Sequence, residues 1–118
     1  MLCHISTNDI IIEEINRRFG ADFTEEDKVM ILRIQDMLEK DEAIKSSILV
    51  NTRDNAKISF KHVFDDTLQG IIDTNFKFYK KVNDNTDLSG FLLSYLFEKC
   101  YKKVKNEERS IFSPESKL

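Results

Sequence analysis

A compact all-α bundle of four to five helices is the fold class the sequence predicts, on three observations. Only three glycines and one proline interrupt 118 residues, so little breaks helical continuity. Residues 50–82 carry a sustained apolar pattern, Ile58, Phe60, Val63, Phe64, Leu68, Ile71, Ile72, Phe76, Tyr79 and Val82, at steps of three and four widened by adjacent pairs. Capping signatures, led by Thr24-Glu25-Glu26-Asp27, cut the rest into helix-length pieces. The β-branched clusters Ile10 to Ile12 and Ile48 to Val50 are short and fall inside or against helical patterns, so no strand competes. With 41% hydrophobic residues, the chain has enough apolar side chains for one real core.

The elements follow in order. Residues 1–5 are expected to be disordered. The first helix starts at a capping Ser6 or Thr7 with Asp9 in the positive first turn, and places Ile10, Ile11, Ile15 and Phe19 near one face with Ile12 beside it. Gly20 stops it, because glycine takes the left-handed conformation that the residue after a helix requires. Thr24 then opens a second helix to about Lys40, its hydroxyl accepting from the Asp27 N–H while three acids crowd the first turn. That helix buries Val29 or Met30, Ile34, Met37 and Leu38, with Ile31 and Leu32 broadening the face. A shorter helix from Asp41 to Asn51 carries Ala43, Ile44, Ile48 and Leu49, either separate or as the bent end of the second.

Thr52, with Asn55 three residues on, caps the central element around which the chain is expected to organise. Unbroken, that element would run roughly 45 Å, so it forms a spine or bends, and Gly70 is the expected bend. It ends in the turn-forming cluster Asn83-Asp84-Asn85. Thr86 or Asn85 caps the last helix, whose stripe is Leu88, Phe91, Leu92, Tyr95, Leu96, Cys100 and Val104. Residues 106–118 have weak periodicity and contain Pro114, so they are expected as a flexible tail, leaving 6–105 as the domain.

The net charge of −3 conceals a polarity. Residues 9–42 hold eleven acids against five bases, and residues 43–105 hold eleven bases against seven acids. Such a charge distribution can orient a docking partner or a nucleic acid, and solvated helix faces produce it too. No apolar run approaches the roughly 20 residues that span a bilayer, and no secretory leader pattern opens the chain, so a cytoplasmic protein with no membrane partner is expected. Cys3 and Cys100 lie at opposite ends in no metal-like or redox-like spacing, and Cys100 reads as core.

Chemistry is sparse. His4 beside Cys3 lacks the second ligand pair that zinc wants. His62, Asp65 and Asp66 share a helix face, which is an incomplete acid–base or metal cluster and more simply a solvated surface. Glu25, Glu26 and Asp27 have a sufficient explanation in the helix dipole. Nothing resembles a phosphate-binding glycine loop, a nucleophile elbow or a dinucleotide fingerprint. A free-standing enzyme is not expected, and no catalytic, cofactor-binding or metal-binding residue is assigned. In Phe76-Lys77-Phe78-Tyr79-Lys80-Lys81, spacing puts Phe76 and Tyr79 on the buried face and turns Phe78 outward with Lys77 and Lys81. An outward aromatic flanked by lysines can pack beneath the last helix, anchor a protein interface or stack on a base.

Several segments taken together carry a resemblance: Ile15-Asn16-Arg17-Arg18-Phe19-Gly20-Ala21-Asp22-Phe23-Thr24-Glu25-Glu26-Asp27, then Val50-Asn51-Thr52, then Phe60-Lys61-His62-Val63-Phe64-Asp65-Asp66, then Asn75 to Lys81. In order and spacing they resemble the C-terminal helical region of the restriction (R) subunit of type I restriction-modification enzymes, over about residues 10–105. The first residues and the stretch after Tyr101 are not distinctive. The resemblance implies a piece of a much larger protein, whose nuclease and helicase-like motor domains use ATP and Mg to translocate and cleave DNA. It implies for this region a role in docking that subunit onto the methyltransferase (M) and specificity (S) subunits, with no catalytic residue to carry over. The residues expected to make contact are Lys77, Phe78, Lys81, Lys99, Lys102, Lys103 and Lys105, from exposed-aromatic spacing and local charge. The alternative is direct binding of the basic half to the duplex DNA backbone beside the motor.

Overall fold

The computed structural model describes residues 7–112, which form six helices and, among those residues, no strand. They are α1 (Thr7–Phe19), α2 (Glu25–Glu39), α3 (Glu42–Val50), α4 (Arg53–Gly70), α5 (Phe76–Asn83) and α6 (Thr86–Phe112). The all-α class holds, with more helices than the four to five expected. The boundary at Asp41 resolves the open choice in favour of a separate helix and the one at Asn75 is new, and both have local causes. Asp41 accepts from the Ile44 N–H at 3.0 Å and caps α3 as a helix separate from α2. Asn75 accepts from the Phe78 N–H at 3.2 Å and starts α5, after a turn in which the Asn75 N–H donates to the Ile71 carbonyl at 2.7 Å. The central element is therefore two helices, and Gly70 ends the first of them rather than bending a continuous rod.

The break resets the helical phase. In α4 the buried residues are Ala56, Phe60, Phe64 and Leu68, which leaves Ile58 on the opposite side, 58% exposed. In α5 they are Phe78 and Val82. Phe76, expected in the core, is 56% exposed; Phe78, expected outside, is fully buried. Smaller phase errors of one residue put Ile10, Val29, Met37 and Leu49 on the surface, while Ile11, Met30, Leu38 and Ile48 are buried beside them.

The organising helix is α6, not the 50–82 stretch. All five other helices pack on it. Its stripe of Leu88, Leu92, Leu96, Phe97, Cys100 and Val104 is buried, and at about 1.5 Å per residue a helix of 27 residues is long enough to receive them all. Asn85 caps it, accepting from the Leu88 N–H at 3.0 Å. Against it, the ring of Phe60 meets Phe97 edge-on at 5.4 Å, Phe19 meets Phe91 at 5.5 Å, and the Arg53 guanidinium lies 4.7 Å above Tyr101 while ion-pairing with Glu98. The helix continues past the boundary expected at 105, with Lys103–Glu107 and Lys105–Glu108 pairs along the extension. Residues 1–6 and 113–118, with Cys3, His4 and the disordered terminus and tail expected there, lie outside the described residues.

The caps at Thr24 and Thr52 form as the sequence predicts, the first with both bonds of a capping box. Gly20 adopts φ +61°, the left-handed conformation that ends α1. A Cβ there would meet no neighbour, so the cost of Gly20→Ala is conformational alone. The expected loss is about 1 kcal/mol, read from the urea midpoint, with an unchanged m-value.

Candidate functional site

Most of the first quoted segment converges on one clasp joining α1, α2 and α5. Asn16, half-buried on α1, brackets the backbone of Phe23: its amide donates to the Phe23 carbonyl at 3.1 Å and its carbonyl accepts from the Phe23 N–H at 2.8 Å. The chain from Asn16 to Phe23 is thereby closed around Gly20, which directs Phe23 inward onto the ring of Phe78 at 5.7 Å. One residue later Thr24 starts α2. Asp27, only 4% exposed, accepts from the Thr24 N–H at 2.9 Å, and its own N–H donates to the Thr24 hydroxyl.

Lys81 completes the clasp from α5. Its ammonium donates to Asp27 Oδ2 and to the Asp22 carbonyl, both at 2.6 Å, and sits 5.6 Å from the centre of the Phe23 ring. Asp27 thus has an opposite charge and several donors, the condition under which a carboxylate is stable when buried. The side chains of Asn16, Thr24, Asp27 and Lys81 bond to one another or to the loop backbone, so the arrangement holds three helices together.

The expected contact residues separate on inspection. Phe78 and Lys81 are parts of the clasp: the phase reset at Asn75 turns Phe78 into the core, and the buried Asp27 carboxylate holds Lys81, whose side chain is 29% exposed. Phe78 therefore offers no docking surface, whereas Lys81 is committed to Asp27 yet stays part-exposed beside Lys77. Lys77 is exposed beside the clasp. On α6, Lys99 lies 5.5 Å from the Tyr95 ring, Lys102 is exposed, and Lys103 and Lys105 reach Glu107 and Glu108 at 3.9 and 3.8 Å. The structure brings Lys99, Lys102 and Lys103 onto one face by their helical spacing and partly neutralises that face from its own next turn.

Sequence reading missed Asn16 as a brace and Asp27 as a buried charge. Asn16 and Phe23 lie seven residues apart across a helix end, and no local pattern shows that pairing. Asp27 had one adequate local role, in the capping box, which hid its second. His62, Asp65 and Asp66 are all exposed, with Asp65 paired to Lys61 at 2.7 Å. Among the described residues, no three His, Cys, Asp or Glu side chains are placed to hold a metal ion, and no helix is long and apolar enough to cross a membrane.

Cys100 is fully buried, as read from the sequence. Burial pushes its thiol from the ordinary 9.0 up to about 12, with Glu39 adding to the rise and Lys103 opposing it. In a Cys3→Ser variant, the native protein should leave Ellman's reagent unreacted at pH 8 and release one equivalent on unfolding in guanidinium. Because the native thiol holds its proton longer than the unfolded one, stability from this group is intact below about pH 9 and is lost as pH rises toward about 12.

Compared with protein-family models, curated proteins and solved structures, the chain finds no match. The resemblance to R subunits rests on the quoted segments.

Proposed function

We propose that this chain is a non-catalytic assembly domain of a type I restriction enzyme R subunit, docking the ATP-dependent translocase and nuclease onto the M and S methyltransferase core, in the cytoplasm. One observation supports the reading above others. Asn16, Gly20, Phe23, Thr24 and Asp27, which carry much of the resemblance, are engaged with Lys81 and Phe78 in closing the clasp, so the shared pattern is that of a fold and not of a reaction centre. The domain's contribution is then its surface. Lys77, Lys99, Lys102, Lys103 and Lys105 remain candidates for contact, while ATP and Mg belong to other domains of the parent subunit.

The second reading, binding to the duplex DNA backbone, is favoured by Lys99, Lys102 and Lys103 on one face of α6. Glu107 and Glu108 on the next turn weigh against a strong phosphate surface. Purified domain is titrated with a type I methyltransferase core and with duplex DNA, each at low and moderate salt. Binding to the core that survives moderate salt is expected. Binding to DNA alone, falling with a log–log slope near −0.9 per phosphate neutralised, would replace assembly by duplex guidance; binding to neither would refute both.

A further inference from the structure

We draw no further inference here: the strongest candidate, the cavity of about 530 Å³ between the start of α2 and the start of α5, lined by Asp22, Thr24, Glu26, Asp27, Lys77 and Lys81 among others, carries nothing, because its one buried carboxylate, Asp27, is already committed to Lys81 and Thr24 in the clasp and the exposed acids and lysine around it select no single ligand.

Discussion

Phe78→Ala is expected to cost about 3–5 kcal/mol, the range for removing a fully buried phenyl ring from a core that can only partly collapse. Phe78 is 0% exposed and its ring meets Phe23, which the Asn16 brace holds in place. The cavity would open where α5 joins the α1–α2 loop, a junction with little other apolar contact to close it. Urea denaturation followed by circular dichroism reads the loss, and thermal melting should fall on the order of 15 °C. Phe76→Ala supplies the contrast: an exposed ring two residues away should change stability by no more than about 0.5 kcal/mol. If Phe78 were the surface aromatic that unbroken periodicity predicts, the two results would be exchanged.

That exchange marks where the sequence was legible and where it was not. The helices that begin at Thr24, Thr52 and Asn85 were readable because a short polar side chain three residues before a backbone donor is a local signal with a local cause. Gly20 was readable for the same reason. The core face of α5 was not, because apolar residues run through Ile71, Ile72 and Phe76 without a gap, and their period alone cannot show a helix stopping and restarting. The signal that could have found the break is Asn75, which sits three residues before Phe78 as Thr24 sits before Asp27. Its capping preference outweighed a continuous pattern.

The place of α6 was hidden differently. Its stripe was legible, but nothing local says that five helices converge on one, and the 50–82 stretch had the longer run of apolar residues. The clasp was the least legible part. Lys81 and Asp27 are 54 residues apart, and each had a satisfactory surface explanation: a lysine near the end of a short helix and an acid in the first turn of another. Charge counting along the chain treats such residues as exterior. Packing of Phe23 on Phe78 removes that option by carrying the loop and α5 together, which leaves a carboxylate under cover in need of a cation.

Lys81→Glu is the second large effect, at about 3–5 kcal/mol, and it decides how the docking surface can be mapped. The substitution removes the cation from a carboxylate that is 6% exposed and sets a second negative charge beside it. It also withdraws the donor from the Asp22 carbonyl and exposes the capping box to repulsion, because the Asp27 oxygen that Lys81 meets is the one accepting from the Thr24 N–H. Since the carboxylate is covered while the ammonium is part-exposed, most of the loss should persist at 0.5 M salt, whereas a fully exposed ion pair would be screened. Lys102→Glu, on the solvent side of α6, should leave the urea midpoint within about 0.5 kcal/mol of the wild type. Loss of core binding in Lys81→Glu would therefore report unfolding, and only substitutions such as Lys102→Glu can report docking. A cycle through Asp27→Asn, Lys81→Met and the double variant isolates the pair: the double should cost less than the sum of the singles by about 1–3 kcal/mol, because neither charge is then left uncompensated. Additive costs would mean that the clasp is held by the Asn16 brace and the Phe23–Phe78 contact, with Lys81 a bystander.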